Sequence, residues 1–463
     1  MENSWQGKRI LMLGAGRQGQ ALARFMADRK AIVTISDIQP FDQLRSAWES
    51  LKMLPVRWVT GGHPQSLLDE TDFVCVTGGA DLKQPILKEA IERGLPVLND
   101  TQIFLTEVCA PVIGITGSSG KTTTTTLVGR IAETAKKPDQ KVWVGGNIGM
   151  PLLTMTDKIQ PDDIVILELS SFQLELTTVS PHIAAVLNIT PNHLDRHETM
   201  EAYIRAKKNI LNYQSADDIA VLNRDDENSW HLRNDLKGKI ISFGFDKPAE
   251  NNGDPVIYCE NMAIKREMNG EIENLIRLDQ IRLRGRHNIA NTMAAFAVST
   301  AAGFGIEAMR SAVVNFTGVE HRLQYVRNFH GADWYNDSIA TAPERTLAAV
   351  RSFDEPLVML LGGRDKKLPW DELATEIHHH AHAAILFGEA APLIKKALER
   401  NKTSESELEI IQVDSLEEAV DAAASVCREG DVVLLSPGGT SYDAFRDFEE
   451  RGKAFTEWVM RLT

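Results

Sequence analysis

Short apolar runs alternate along the chain with segments whose apolar residues recur at helical spacing. In the first hundred residues these runs are rich in Ile, Leu and Val, and they predict strands at 8–13, 31–36, 73–76 and 95–98. A glycine-rich turn follows the first run and leads into a predicted helix at 20–28. Strands that alternate with helices favour a parallel sheet, in which ligands bind at the carboxyl ends of the strands.

The alternation continues through the rest of the chain. Further strands are predicted at 112–115, 164–168, 184–188, 357–361, 383–387 and 432–435. Further helices are predicted at 126–135, 287–302 and 415–426. Residues 238–284 instead alternate short polar and apolar stretches around Asn269-Gly270, a pair typical of tight hairpin turns. This stretch predicts a small β-rich subregion.

The length and composition of the chain agree with several globular domains. It has 463 residues, of which 43% are hydrophobic, and no repeat or long linker interrupts it. A chain of this length is expected to form about two to four domains. We predict an α/β fold with three domains, at 1–99, 100–318 and 319–463.

The charge and the cysteines limit the classes of function. The formal net charge is −14, whereas nonspecific nucleic-acid binding needs a basic surface, so we expect no nucleic-acid partner. Four well-separated cysteines without a CxxC pair indicate reduced thiols in a cytosolic protein. The chain has no apolar stretch of about 18 residues and no apolar leader, so we expect neither membrane insertion nor secretion.

A histidine cluster at His378, His379, His380 and His382 lies in a stretch with helical spacing. Adjacent residues point in different directions around a helix. We therefore expect these histidines at the surface or at a boundary of the domain, and not around a metal ion.

The most informative motif follows the apolar run at 112–115. Glycines at Gly117 and Gly120 precede Lys121 and Thr122, and a helix is predicted soon after. In such a strand–loop–helix, backbone amides cradle a nucleotide triphosphate, the lysine reaches the outer phosphates and the threonine hydroxyl contacts Mg²⁺. The motif departs from the strict P-loop pattern, because Ile115 stands where that pattern has a glycine.

A second glycine motif, GxGxxG at 14–19, follows the first predicted strand, and Asp37 ends the next one. This combination is typical of dinucleotide binding, although a tight strand-to-helix turn would give the same pattern. A redox enzyme built on GxGxxG would not need the phosphate loop at 117–122. A nucleotide-linked substrate at GxGxxG and ATP at the phosphate loop explain both motifs.

Polar side chains follow two predicted strands of the central region. Glu168 ends one strand, and His193, Asp195 and Arg196 come shortly after the next. Mg²⁺ prefers oxygen ligands and binds one or two protein carboxylates together with phosphates. We therefore predict that these residues belong to the same site as the phosphate loop.

Several motifs in order make the chain similar to the Mur ligase family, ATP-dependent enzymes that build the peptide of peptidoglycan. They lie at 116–123, 168–175, 193–196, 203–207, 285–291, 320–322 and 336–338. Residues 361–366 and 434–452 resemble the branch that adds D-glutamate to UDP-N-acetylmuramoyl-L-alanine. The chain departs from the family pattern where 436–441 read Ser-Pro-Gly-Gly-Thr-Ser, where Ile339 replaces a lysine, and at Asn192, where the family has aspartate.

The resemblance implies a fold and a reaction. The expected fold is a Rossmann-like N-terminal domain, a central P-loop ATPase-type domain and a Rossmann-like C-terminal domain. In the expected reaction, ATP phosphorylates a carboxylate, and the amine of D-glutamate displaces phosphate from the acyl phosphate. The implied catalytic residues are Lys121, Glu168, His193 and Lys207.

The resemblance also implies a metal centre. Two Mg²⁺ ions are expected, with Thr122, Glu168, His193 and Lys207 as the metal-binding residues. A lysine is cationic and binds Mg²⁺ poorly, but the matching lysine of the family is carbamylated and offers anionic oxygens. The same modification is expected at Lys207.

The remaining expected contacts come from the same resemblance. ATP is expected to contact Gly117, Ser118, Ser119, Gly120, Lys121, Thr122, Thr123, Asn288, Asn291, Arg322 and Asp337. The UDP-linked substrate is expected to contact Gly14, Ala15, Gly16, Arg17, Asp37 and Asn147. D-glutamate is expected to contact Thr341, Lys366, Ser441 and Phe448. A cytoplasmic monomer that closes about a hinge near 316–320 is also expected.

Three other interpretations are compatible with the sequence. One is another Mur ligase, chiefly the L-alanine-adding one, although the segment 436–441 speaks against it. Another is a nucleotide-dependent redox protein or sensor built on the GxGxxG motif. The third is a noncatalytic scaffold, which would have no use for Lys121, Glu168, His193 and Lys207 together.

Overall fold

The computed structural model describes residues 5–77, 80–147, 152–249, 253–404 and 406–463, and the side chains of Arg17 and Asp195 lie outside this description. The chain divides into two compact units. Unit 1 comprises 1–281 and 286–315, and unit 2 comprises 282–285 and 316–463.

The first sheet of unit 1 is formed by strands from the first hundred residues. They are β1 (Arg9–Leu13), β2 (Ile32–Asp37), β3 (Val56–Thr60), β4 (Phe73–Val76) and β5 (Val97–Asn99). All pairs are parallel, in the order β3-β2-β1-β4-β5. The associated helices are α1 (Arg17–Asp28), α2 (Arg45–Leu51), α3 (Pro85–Glu92) and α4 (Asp100–Glu107). The side chain of Asn99 caps α4 by accepting a hydrogen bond from the Gln102 amide.

The second sheet of unit 1 has the order β14-β13-β12-β11-β10-β9-β6-β8-β7 among the described residues. Its strands are β6 (Val112–Thr116), β7 (Val142–Gly146), β8 (Ile164–Glu168), β9 (Ile183–Val186), β10 (Ile219–Asn223), β11 (Lys239–Phe243), β12 (Val256–Glu260), β13 (Ala263–Met268) and β14 (Glu271–Arg277). The strands from β12 to β14 pair antiparallel, whereas the other pairs are parallel. The hairpin predicted at Asn269-Gly270 is confirmed as the connection between β13 and β14.

Helices cover the central sheet. They are α5 (Lys121–Ala135), α6 (Ser171–Leu174), α7 (Leu194–His197), α8 (Met200–Asn212), α9 (Glu227–His231), α10 (Arg286–Ala301) and α11 (Ile306–Val314). Every residue of β6 is buried, as expected for a parallel strand with helices on both faces of its sheet.

Unit 2 contains one mixed sheet in the described residues, with the order β15-β16-β20-β17-β18-β19. The strands are β15 (Gln324–Phe329), β16 (Ala332–Asn336), β17 (Leu357–Gly362), β18 (Ala381–Phe387), β19 (Glu409–Gln412) and β20 (Val432–Gly438). Only β15 pairs antiparallel among these described strands. The helices are α12 (Pro343–Val350), α13 (Asp371–His380), α14 (Ala391–Arg400), α15 (Leu416–Val426) and α16 (Phe448–Arg461).

The predicted α/β class is confirmed, and most predicted strands lie within a few residues of their observed positions. The start of α5 was predicted too late, because the helix begins at Lys121 and not at Thr126. The histidine prediction is wrong at His378, which is buried and whose ring nitrogens lie 2.6 Å from Ser406 Oγ and 2.8 Å from the Leu398 carbonyl oxygen. His382 lies on β18 and not on a helix.

All four cysteines are free thiols. No helix in the described part of the chain is long and apolar enough to cross a lipid bilayer.

Candidate active site

The phosphate loop lies at the point where the strand order of the central sheet reverses. Strand β6 has β8 on one side and β9 on the other. Ligands of parallel sheets bind outside the carboxyl ends of the strands at such a point. Glu168, which ends β8, and Asn188, which follows β9, are therefore placed beside the loop that follows β6.

Two asparagines fix the conformation of the phosphate loop. The amides of Ser118 and Ser119 donate to the backbone oxygen and to Oδ1 of Asn188, both at 2.9 Å. Gly120 has a φ of +80°, and a Cβ atom there would lie 2.2 Å from Oδ1 of Asn291. Only glycine fits this position. The amides of residues 118 and 119 thus already donate hydrogen bonds to Asn188. The backbone amides in the first turn of α5, which contains Thr122 and Thr123, are therefore the donors suited to phosphate oxygens.

Two lysines converge on one carbonyl oxygen of the loop. Lys121 Nζ donates to the oxygen of Gly117 at 2.8 Å and to that of Ser118 at 3.2 Å. Lys207 Nζ, on α8, donates to the same Gly117 oxygen at 2.8 Å and to Thr116 Oγ1 at 3.4 Å. The sequence prediction that places Lys121 and Lys207 at one site agrees with this geometry.

The environment of Lys207 disfavours its charged form. The side chain is 1% exposed. Burial lowers the pKa of Lys207 well below its ordinary value of 10.5, the charge of Lys121 lowers it further, and Glu168 opposes both effects. A lowered pKa favours the neutral, nucleophilic form of the Lys207 amine relative to an exposed lysine.

Glu168 ends β8 as a buried carboxylate. Its Oε1 accepts a hydrogen bond of 2.9 Å from Asn147 Nδ2, and Oε2 has no hydrogen-bond partner among the described residues. The backbone amide of Asn147 also donates to the backbone carbonyl oxygen of Glu168 at 2.8 Å. Asn147, which was predicted to contact the substrate, therefore holds Glu168 in place.

The metal-binding side chains at this site suit Mg²⁺ better than a metal whose ligands all come from the protein. The described residues contain no group of three or more His, Cys, Asp and Glu side chains that could hold a metal ion. Mg²⁺ instead takes one or two carboxylates and completes its shell with phosphates and water. The buried, unpartnered Oε2 of Glu168 at the edge of the phosphate loop is an oxygen of the required kind.

His193 is placed by an aromatic cluster. Its backbone is left-handed, with φ of 53°, and its ring centroid lies 5.2 Å from that of Phe172. His197 stacks on Phe172 at 5.3 Å and lies 5.2 Å from Tyr203, whose hydroxyl is 3.0 Å from Ser118 Oγ. This cluster connects the segment after β9 to the phosphate loop. The side chain of Asp195, also predicted here, lies outside the described residues.

Two asparagines predicted to contact ATP share one face of α10. Asn291 Nδ2 donates to Asn288 Oδ1 at 3.1 Å. Because Asn291 also contacts Gly120, both asparagines are close to the phosphate loop.

The GxGxxG turn is built around Asp37. The Asp37 carboxylate accepts hydrogen bonds from the amides of Ala15, at 2.8 Å, and Gln39, at 2.9 Å. Gly14 has a φ of +94°, and Gly16 is extended at the start of α1. Gly14, Ala15, Gly16 and Asp37 are therefore brought together, whereas the side chain of Arg17 lies outside the described residues.

In unit 2, Asp337 follows β16 and is buried. Its carboxylate accepts hydrogen bonds from Ser436 Oγ at 2.8 Å and from the Leu323 amide at 3.2 Å. Burial raises the pKa of Asp337 to about 7, against the effects of Ser436, the Leu323 amide and the charges of Arg322 and Arg345. Asp337 and Arg322, both predicted to contact ATP, are thus close in space.

The residues predicted to bind D-glutamate lie on loops at the carboxyl edge of the unit 2 sheet. Lys366, in the loop after β17, donates to Thr341 Oγ1 at 3.1 Å. Ser441 follows β20 and is buried, and Phe448 begins α16. The Phe448 carbonyl accepts a hydrogen bond of 2.8 Å from Ser338 Oγ, in the loop that contains Thr341.

The sequence prediction missed residues that shape the site without a motif of their own. Asn188 holds the phosphate loop, and its only signal was a polar side chain directly after a predicted strand. Arg451 is 0% exposed and bonds to Ser338 and Gly439. Its signal would have been an arginine on the apolar face of an amphipathic helix.

Comparison with known proteins extends over nearly the whole chain. Three family models match it in succession: "Mur ligase MurD-like, N-terminal domain" at 8–99, "Mur ligase middle domain" at 115–299, and "Mur ligase, glutamate ligase domain" at 321–439. The chain is 38% identical over 456 residues to the UDP-N-acetylmuramoylalanine--D-glutamate ligase of Clostridium botulinum (strain Kyoto / Type A2), covering 98% of this chain and 97% of the relative.

Two further comparisons agree. The chain is 38% identical over 453 residues to the UDP-N-acetylmuramoylalanine--D-glutamate ligase of Clostridium kluyveri (strain ATCC 8527), covering 98% and 96% of the two chains. A crystal structure of UDP-N-acetylmuramate-alanine ligase from Thermotoga maritima superposes with a TM-score of 0.54 at 19% identity, covering 98% and 99%. At that identity the superposition supports the fold alone, and it confirms the predicted α/β architecture.

Proposed function

The chain belongs to the Mur ligase family, and from this premise we propose that it joins D-glutamate to UDP-N-acetylmuramoyl-L-alanine at the expense of ATP. The relatives that match nearly its full length are named for this reaction. The observation that supports the proposal most is the convergence of Lys121, Lys207 and Glu168 on the loop after β6.

The reaction divides into two steps that the residues of the chain can assist. The γ-phosphoryl group moves from ATP to a carboxylate oxygen of the UDP-linked substrate, which gives an acyl phosphate and ADP. The amine of D-glutamate then attacks the acyl carbon, the carbon–nitrogen bond forms, phosphate leaves and the nitrogen loses a proton. Phosphoryl transfer depends on positioning and charge neutralisation. The first turn of α5 and Lys121 would bind the β- and γ-phosphates.

Four residues would hold magnesium in this site. Thr122 and Glu168 would bind one Mg²⁺, and His193 and carbamylated Lys207 would bind a second. When bound, Mg²⁺ neutralises the charge of the phosphate oxygens.

Carbamylation of Lys207 is supported by the surroundings of its amine. The amine is buried and held at 2.8 Å by the Gly117 carbonyl, beside the positive charge of Lys121. In the modification, the amine nitrogen attacks the carbon of CO₂, the nitrogen–carbon bond forms and a proton is lost. The product is anionic, so it would balance Lys121 where the unmodified ammonium would oppose it.

We predict that activity depends on CO₂ and that the dependence is specific to Lys207. In ¹³CO₂-equilibrated buffer, carbon NMR of the wild type should show a carbamate signal that is lost in Lys207→Ala. Lys208→Ala is the matched control, because Lys208 is a neighbour on the same helix that pairs at the surface with Asp235. The Lys207 variant should lose activity by at least about a hundredfold, as for other residues that stabilise transition-state charge. A Lys207→Ala enzyme with full activity and an unchanged carbon spectrum would contradict the proposal.

The remaining contacts divide between the two units. In unit 1, Gly14, Ala15, Gly16, Arg17, Asp37 and Asn147 would bind the UDP-linked substrate, and Asn288 and Asn291 would lie near the adenine. In unit 2, Arg322 and Asp337 would contact ATP, and Thr341, Lys366, Ser441 and Phe448 would bind D-glutamate. We expect the protein to work as a monomer in the cytoplasm, where ATP and the UDP-linked substrate are available.

The test of the proposed function is phosphate release with ATP, Mg²⁺ and UDP-N-acetylmuramoyl-L-alanine. Release should depend on D-glutamate, and the UDP-linked product should gain the mass of one glutamate residue. L-glutamate, L-alanine and a reaction without amino acid are the controls. Release that depends on a different amino acid would keep the family and change the substrate, and no release with any of them would overturn the proposal.

A further inference from the structure

Arg451 is a completely buried arginine on α16, at 0% exposure. Its Nε donates to Ser338 Oγ at 3.0 Å, its Nη2 to the Ser338 carbonyl at 2.8 Å, and its Nη1 to the Gly439 carbonyl at 3.1 Å. A Cβ atom at Gly363 would come within 2.9 Å of Nη1, so the guanidinium also lies against that backbone. One side chain therefore contacts three separate loops.

The three loops follow adjacent strands of the sheet. Ser338 comes after β16, Gly439 after β20 and Gly363 after β17, and these strands are neighbours in the order β16-β20-β17. The same loops carry Thr341, Ser441 and Lys366, the residues proposed to bind the incoming amino acid. The relative positions of these three side chains therefore depend on a single planar group.

The charge of Arg451 is not neutralised by direct pairing. Its hydrogen-bond acceptors are one hydroxyl and two carbonyl oxygens, and no Asp or Glu among the described residues forms an ion pair with it. Asp443 acts on it only through its field and is itself bonded to the Glu389 amide at 3.3 Å. Burial lowers the pKa of Arg451 to about 10, which leaves the side chain cationic at neutral pH.

Burying an unpaired charge is costly, so the arrangement calls for a reason beyond packing. A fixed cation directly beneath loops that bind a dicarboxylic amino acid lowers the free energy of the bound anion in a low-dielectric environment. Lysine could supply the charge but not three donors in a planar fork. The site uses both the positive charge and the planar arrangement of donors of the guanidinium.

We propose that Arg451 is a positioning and specificity-determining residue for the anionic amino-acid substrate, acting through Ser338, Gly439 and the backbone at Gly363. It fixes the relative positions of the three loops and adds a positive charge next to the residues proposed to bind D-glutamate. This inference rests on the proposed function, because it takes D-glutamate as the ligand of these loops.

The experiment measures kcat and the KM values for D-glutamate and ATP in the wild type, Arg451→Lys, Arg451→Met and Arg461→Met, together with thermal unfolding. Arg461→Met is the matched control, because Arg461 lies on the same helix and is exposed. Arg451→Met should raise the KM for D-glutamate about tenfold or more, the factor expected when charge-assisted hydrogen bonds are lost. The KM for ATP should change by less than about twofold. The D-glutamate KM of Arg451→Lys should lie between those of the wild type and Arg451→Met.

The outcomes separate this inference from the proposed function. A wild type without D-glutamate-dependent phosphate release overturns both, and it does so before any variant is considered. A wild type that works, with an unchanged D-glutamate KM in a folded Arg451→Met, overturns the inference alone. Equal rises in both KM values, or failure of both Arg451 variants to fold, would make Arg451 a residue of general stability and would also overturn it.

Discussion

At the scale of single residues, burial shifts the pKa values of two titratable side chains in opposite directions. Burial disfavours the charged form of any group, so it lowers the pKa of the Lys207 amine and raises the pKa of the Asp337 carboxyl. Each group lies where the proposed reaction needs a particular protonation state. A neutral amine can add CO₂. A carboxyl that titrates near neutral pH can gain or lose its proton when a charged ligand binds beside it.

The raised pKa of Asp337 predicts a pH dependence of stability. The folded carboxyl titrates at about 7 and the unfolded one near 3.8, so between these values the folded state binds more protons. The contribution of Asp337 to stability is therefore fully present below about pH 4 and is lost as the pH rises to about 7. Asp337→Asn should gain stability relative to the wild type over this interval.

Thermal unfolding of the two proteins from about pH 4 to about pH 8 measures this difference. Comparison at each pH removes the contributions of the other carboxylates, which both proteins share. A constant difference across the interval would mean that Asp337 keeps an ordinary pKa in the folded protein.

At the scale of elements, the turn between β1 and α1 depends on close backbone packing. A Cβ atom at Gly19 would lie 2.1 Å from the Gly14 carbonyl oxygen, whereas one at Gly16 would have nothing within 4 Å. The backbone of Gly16 has φ of −63°, which alanine adopts without strain. The same substitution should therefore have different effects at two positions of one turn.

We predict that Gly19→Ala lowers the free energy of unfolding by about 1 to 3 kcal/mol, the usual cost of overpacking. Gly16→Ala should change it by less than about 0.5 kcal/mol. Urea unfolding followed by circular dichroism compares the two variants with the wild type. Equal stability of both variants would show that the turn can relax around the added methyl group.

The elements themselves were predictable where local pattern decides them. The apolar runs located β6, β8 and β17 because strands buried on both faces are continuously apolar. The first turn of α5 was not predictable, since its run of threonines has low intrinsic helix propensity. Its start is fixed instead by the left-handed Gly120 and by the burial of the threonines at 123–125.

The site was predictable only in part, for a related reason. Motifs identified Lys121, Glu168 and Lys207, but they did not identify Asn188, which holds the phosphate loop, or Arg451, which holds the loops of unit 2. Asn188 bonds to a loop 69 residues away, and Arg451 bonds to Ser338 at a separation of 113. Such contacts depend on the order of strands in the sheet, which a pattern along the chain does not contain.

At the scale of the whole molecule, the residues proposed to bind the UDP-linked substrate and those proposed to bind D-glutamate lie in different units. The residues assigned to the UDP-linked substrate and the phosphate loop lie in unit 1, and those assigned to D-glutamate lie in unit 2. Binding of each ligand should therefore protect different amides from hydrogen exchange.

Hydrogen exchange with mass spectrometry tests this division. The UDP-linked substrate with a nonhydrolysable ATP analogue should slow exchange at 14–20 and 117–123. Addition of D-glutamate should further slow exchange at 338–341, 362–367 and 436–441. Protection by D-glutamate confined to unit 1 would contradict the assignment of Thr341, Lys366 and Ser441.

Unit 2 is discontinuous in sequence, because it includes the tetrapeptide 282–285. Arg284 in that tetrapeptide is paired with Asp333 and Glu355 of the same unit. Recombination between two relatives at residue 316 would therefore separate Arg284 of one parent from the carboxylates of the other. A crossover upstream of Arg284 would keep these ion pairs within one parent, but it would carry α10 and α11 away from the unit 1 to which they belong.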